Sequence, residues 1–154
     1  MSLDPRRAAV LAEAESWLGT PFHHEARVKG AGVDCGQLLL EVYERVGLIP
    51  HVEVPHYPPD FHMHHDREWY AELLASYARE FAGPPEGRTP QPADVVLFRV
   101  GRVFSHGAIV APCWPRLIHA DYRVGRVCRG DATQLLRVAD LRGGPRPMRC
   151  FDPF

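Results

Sequence analysis

One cysteine and two histidines carry the chemistry this sequence offers. Cys35 lies in Gly32-Val33-Asp34-Cys35-Gly36-Gln37, where a glycine-containing loop turns into an apolar-periodic stretch, so its sulfur is expected in the first turn of a helix. First-turn amides and the positive end of the helix dipole favour a thiolate over a thiol. Such sites bring a cysteine from about 8.5 into the range of ~3.5 to 7.5, usually with help from a histidine. That is an environment for a nucleophile. The alternative is a small apolar residue that happens to start a helix, the commoner fate of a lone cysteine, and a base would decide between them.

His106 lies in Phe104-Ser105-His106-Gly107-Ala108-Ile109-Val110, and His119 in Arg116-Leu117-Ile118-His119-Ala120. Pro112 and Pro115 bracket the connection between these two runs, which therefore read as a hairpin. With its centre near Pro112 and Cys113, His106 opposes His119, Ala108 opposes Leu117 and Val110 opposes Pro115. Opposed residues share a face of the sheet, so the imidazoles become neighbours, and a one-residue slip would separate them. One histidine can then take the cysteine proton while the other fixes its tautomer and orientation. His106 is the expected base and His119 the orienting residue.

The elements that must hold these groups are partly written in the chain. Leu38, Leu39, Val42, Tyr43 and Val46 recur at helical spacing after Asp34, an N-cap, with Gln37 placed for a capping box, Arg45 in the last turn and Gly47 as C-cap. Asp4 and Pro5 open an earlier helix to about Leu18, ended by Gly19, with Val10, Leu11, Ala14 and Trp17 inward. Residues 49–65 are rich in Pro and His and read as an irregular excursion. Asp66 is expected to cap a third helix to about Phe81, carried by Trp69, Tyr70, Leu73, Leu74, Tyr77 and Phe81. Four prolines and two glycines in 83–92 mark a connection. Beyond it, 94–100, 103–110, 116–122, 126–128 and a weaker run from Leu135 to Val138 read as short strands. Helices followed by strands imply an α+β fold with an antiparallel sheet.

At 154 residues and 45% apolar content the chain fits a single domain spanning 1–154. A net charge of −1, with Lys29 the only lysine among 18 scattered basic residues, offers no footprint for nucleic acid. Cys35, Cys113, Cys128 and Cys150 form no C-x-x-C pair or dense framework and read as reduced thiols. No signal peptide and no membrane span are expected.

With Gly-Thr-Pro-Phe (19–22), Gly-Val-Asp-Cys (32–35), Pro-Ala-Asp-Val-Val-Leu-Phe (92–98), Ser-His-Gly-Ala-Ile-Val (105–110) and Leu-Ile-His-Ala (117–120) in this order, nearly the whole chain resembles the NlpC family of papain-like cell-wall cysteine peptidases. The resemblance implies a papain-like fold with N-terminal helices and the cysteine helix packed on an antiparallel sheet. It implies Cys35, His106 and His119 as triad, with no cofactor and no metal. Asp34, Phe22 and Ser105 become candidate supports of substrate or oxyanion. The implied substrate is an amide bond in peptidoglycan stem peptides. Tyr-Pro-Pro-Asp-Phe-His-Met-His-His (57–65) looks like the version in phage and prophage tail proteins, implying tail partners, synthesis in the bacterial cytoplasm and action at the cell wall. Two positions depart from the family pattern: Phe22 where Tyr is common, and Gly36-Gln37 where Ser-Gly is common.

His62, His64 and His65, with Asp60 and Asp66, have ligand chemistry suited to zinc but no defined spacing, and read as tail-branch structure or a cleft wall. His23, His24, His51 and His56 add imidazoles without geometry. Trp17 and Trp69 fit helix faces and are expected in the core. A rival from another class is a tail component that keeps the fold for binding. A second enzymatic rival, an acyltransferase or amidase on the same scaffold, would need an apolar acyl channel that no residue pattern marks.

Overall fold

The computed structural model describes residues 2–137 and 147–154. Its elements run α1 (Pro5–Ser16), β1 (Arg27–Val28), β2 (Gly32–Val33), α2 (Cys35–Arg45), α3 (Phe61–His64), α4 (Trp69–Ala75), β3 (Arg79–Phe81), β4 (Val95–Val100), β5 (Val103–Val110), β6 (Arg116–Asp121), β7 (Arg126–Asp131), α5 (Ala132–Arg137) and β8 (Met148–Asp152). Strands β3-β8-β4-β5-β6-β7 form one antiparallel sheet, and β1 pairs with β2. The expected α+β class holds.

Helix α2 forms for the reasons its sequence suggests. The Asp34 carboxylate accepts from the Gln37 amide at 2.9 Å. Val46 is the C-cap, and Gly47, one residue on, takes the left-handed conformation (φ +77°) that glycine adopts without strain. The capping box is only half made, because Gln37 Nε2 donates to the Tyr57 hydroxyl at 3.2 Å. In α1 the Asp4 carboxylate accepts from the Arg6 amide at 2.8 Å, with Pro5 opening the helix. It ends at Ser16, two residues short of expectation.

Three expectations are corrected. The helix from Asp66 to Phe81 is only α4, starting after Glu68. Residues Arg79–Phe81 are a strand, because their main chain pairs with β8, Glu80 against Phe151. The excursion at 49–65 contains a helical turn, α3. The weak strand at Leu135 belongs to helix α5, whose start is held by the Asp131 carboxylate accepting from the Thr133 amide at 2.8 Å; Val138, its last expected residue, lies outside the described residues.

Both faces of the sheet are covered, so β4 is buried along most of its length. Val95, Leu97, Ile109 and Ile118 pack with Val10, Trp17, Leu38 and Val42 of the α1–α2 side. Val96, Phe98, Ala108, Val110 and Leu117 pack with Ala132 and Leu135 of α5 on the other. Each fully buried Leu or Val side chain contributes about 1.5–3 kcal/mol, and this packing fixes α2, and with it Cys35, against β5. Arg7 of α1 bridges Asp94 at 2.8 Å and Asp152 at 3.2 Å, tying the first helix to the start of β4 and the end of β8.

Candidate active site

The Cys35 thiol opens α2 and meets β5. Its Sγ donates to the Ser105 carbonyl at 3.4 Å, and the Gly107 amide is another of its polar neighbours. The sulfur therefore lies against the main chain on both sides of His106. Gly107 leaves room for the side chains packed beside it: a Cβ there would collide with the Tyr70 hydroxyl and Leu39.

His106 Nε2 stands 2.7 Å from His119 Nδ1, with ring centroids 5.0 Å apart. The imidazoles are neighbours as expected, through a different register. Val110 opposes Leu117 instead of Pro115, and Ile109 opposes Ile118. The shift of two residues keeps every side chain on its expected face, so the histidines meet diagonally. His119 is buried, 2% exposed, and packs its Nε2 edge toward Gly130, where a Cβ would lie 2.5 Å away. Burial lowers the His119 pKa although Asp121, with Oδ2 4.0 Å from Nε2, opposes this. Asp121 is held below the usual carboxylate range: burial raises it, but the Arg123 amide and the charges of His119 and His106 outweigh that.

The environment of the sulfur works against the helix dipole. Burial, and after it the negative charge of Asp34, push the Cys35 thiol up to about 12, against the pull of the Gly107, Gly36 and Cys35 amides. The residue that caps the helix is thus one that repels a charge on its first side chain. Asp34 is fully committed, accepting from the Gln37 amide at 2.9 Å, the Glu25 amide at 2.9 Å and the Tyr57 hydroxyl.

Cys35 and His106 open on one cleft of about 520 Å³ that Phe22, Asp34, Ser105 and Asp121 also line. Its far wall is aromatic: Tyr57, Phe61, Trp69 and Tyr70. Trp17 is core, 0% exposed, but Trp69 is a cleft residue as well as a packing one. Phe22 meets Tyr122 edge-on at 5.7 Å. The hydroxyl it lacks has counterparts in Tyr57, bound to Asp34, and Tyr70, whose hydroxyl lies 3.5 Å from the Cys35 carbonyl. Ser105 meets the thiol through its carbonyl, while its hydroxyl donates to the Val100 carbonyl at 3.2 Å. Tyr57, Tyr70, Asp121 and Gly130 join the site without a motif that marks them; only Asp121 lies close in sequence to an expected site residue, His119.

The excursion supplies Tyr57 and Phe61 to the aromatic wall and is pinned there. His24 Nε2 contacts the Tyr57 carbonyl at 2.7 Å, and the Tyr57 amide donates to Glu25 at 2.8 Å. His64 pairs with Asp60 at 3.0 Å, His51 with Glu44 at 2.9 Å and His56 with Glu25 at 2.8 Å. Among the described residues, the one group of three whose ligand atoms lie within 4.8 Å of one another is elsewhere, at His119, Asp121 and Cys128.

No protein-family model matches the sequence, and no curated protein matches it. Solved structures do. The NlpC/p60 domain of the peptidoglycan hydrolase SagA aligns with a TM-score of 0.60 at 17% identity, over 93% of this chain and 96% of that one. NlpC1 from Trichomonas vaginalis gives 0.66 at 13%, over all of this chain and 45% of its own length. An N-acetylmuramoyl-L-alanine amidase from Bacteroides uniformis gives 0.60 at 10%, over 97% and 99%. With its cysteine helix packed on an antiparallel sheet, the chain has the papain-like NlpC/p60 fold.

Proposed function

We propose that this chain is a cysteine peptidase that hydrolyses amide bonds in peptidoglycan stem peptides. The observation that carries this reading is the Cys35 sulfur lying against the main chain beside His106, whose Nε2 contacts His119 at 2.7 Å. With its proton on Nε2 donated to His119 Nδ1, His106 holds a lone pair on Nδ1. Cys35 attacks the substrate carbonyl as its proton passes to that nitrogen. The tetrahedral oxygen is stabilised by the Cys35 amide at the helix start. The imidazolium then protonates the leaving amine, and water, activated by the same nitrogen, releases the acid and restores the thiol. Because the resting sulfur is a thiol, proton transfer belongs to the attack itself.

The peptidoglycan hydrolases and the amidase among the structural neighbours support this substrate class. The bond between D-glutamate and a diamino acid is the expected target. The likeness of residues 57–65 to tail proteins supports an enzyme made in the bacterial cytoplasm and carried to the cell wall in a phage or prophage tail. The rival is a tail component that only binds, and a thiol pushed up to about 12 by burial and by Asp34 fits it. Incubation with purified muropeptides and mass analysis of the products separates the two. Fragments summing to the substrate plus one water support the peptidase, whereas intact muropeptides overturn it.

A further inference from the structure

His119, Asp121 and Cys128 form a group that the peptidase reading does not fully use. On the paired strands β6 and β7, His119 directly opposes Cys128, and Asp121 lies two residues along on the same face. One nitrogen, one oxygen and one sulfur thus converge, their ligand atoms all within 4.8 Å of one another. Tetrahedral zinc, with bonds of about 2.0–2.3 Å, holds its ligands roughly 3.3–3.8 Å apart, so side-chain rotation of modest size closes the set.

Two further observations point to a metal. The His119 ring presents Nε2 to this group, while Nδ1 is already hydrogen-bonded at 2.7 Å, the arrangement that orients ligating histidines. Gly130 carries no side chain where a Cβ would crowd Nε2 at 2.5 Å. Mixed imidazole, carboxylate and thiolate donors with a fourth position open suit zinc above magnesium or calcium.

We propose that His119 Nε2, the Asp121 carboxylate and Cys128 Sγ bind a zinc ion that switches the His106 base off by exchanging its tautomer. The switch rests on the peptidase reading; the metal site does not. Without zinc, His119 carries its proton on Nε2 and accepts at Nδ1 from His106, whose Nδ1 holds the lone pair. Zinc takes the Nε2 lone pair, so the His119 proton moves to Nδ1 and donates to His106 Nε2. The His106 proton then resides on Nδ1, the position that must accept from Cys35. Both rings keep one proton each, and the Cys128 thiol releases its own to solvent on becoming a ligand. The cleft stays open while the base is lost.

The test titrates zinc into the metal-free full chain by calorimetry, with Cys35→Ala, Cys128→Ser and Asp121→Asn variants in parallel. One zinc per chain is expected in the parent and in Cys35→Ala. Cys128→Ser should lose more than the roughly 10–100-fold in affinity that removal of a supporting residue costs a metal site. With cobalt(II), a thiolate charge-transfer band should appear in the parent and in Cys35→Ala and be absent from Cys128→Ser. Nitrogen-15 spectra should show the His106 proton moving from Nε2 to Nδ1. Zinc should suppress muropeptide cleavage by the parent and not by Cys128→Ser, each compared with its own zinc-free rate. No binding, a cobalt band that follows Cys35, or an unmoved His106 proton overturns the proposal. A chain that binds zinc with the tautomer exchange and cleaves no muropeptide supports the site and refutes the peptidase.

Discussion

His106 Nε2 and His119 Nδ1 approach to 2.7 Å across two strands, between one half-buried ring and one buried ring. At that distance one nitrogen donates and the other accepts, so the pair has only two neutral arrangements. The proposed chemistry requires the one in which His119 accepts.

An acceptor at position 119 is therefore what matters. His119→Asn, whose carbonyl oxygen can stand near Nδ1, should keep a measurable part of muropeptide hydrolysis. His119→Leu should lose on the order of 10²–10⁴-fold in kcat, the usual weight of a positioned acid–base group. Comparing kcat and KM of the two variants checks this, with the loss expected in kcat.

Gly130→Ala puts a methyl 2.5 Å from His119 Nε2, against a buried ring. The ring must shift, and overpacking of this kind costs about 1–3 kcal/mol. A lower midpoint in urea, together with reduced hydrolysis, is the expected outcome.

The state of Cys35 sets a pH dependence. Its folded pKa, pushed up to about 12, exceeds the usual thiol value, so the folded chain keeps a proton that the unfolded chain gives up first. The stability this contributes is complete below pH about 8.5 and erodes as pH rises toward 12. Cys150, buried and also pushed up to about 12, adds a loss of the same sign. Denaturation at increasing alkaline pH should show falling stability, with a shallower fall in Cys35→Ala. In the same terms, residue-resolved alkylation of the free protein at pH 7 should modify exposed Cys113 before Cys35.

Tyr57→Phe removes the hydroxyl that donates to Asp34 and accepts from Gln37 at 3.2 Å. Loss of a bond to a charged group costs about 1.5–3 kcal/mol, and the freed Asp34 loosens the aromatic wall over Cys35. Lower thermal stability with a raised KM is expected, read from melting curves and muropeptide kinetics.

How far these features could be read from the chain depends on how local their causes are. Asp34 and Gly47 define the ends of α2 within a dozen residues, and the helix forms as they dictate. The histidine pair survives a wrong register because a two-residue shift preserves faces, so alternation was enough to bring the rings together. The strand at Arg79–Phe81 was not legible: it exists because β8, some seventy positions later, pairs with it. The thiol's state was not legible for a similar reason. The helix dipole is local, but the burial that outweighs it depends on packing against distant segments such as β5, whose Ser105 carbonyl lies 3.4 Å from the sulfur.

The proposed hydrolysis depends on Cys35 as its nucleophile. Its most direct measurement is the rate of muropeptide cleavage by the parent and by Cys35→Ser, with melting curves confirming that both are folded. Cleavage by the parent and a fall of at least about 10⁴-fold in the serine variant, the scale of losing a triad member, are expected. Equal rates in two folded proteins would contradict it.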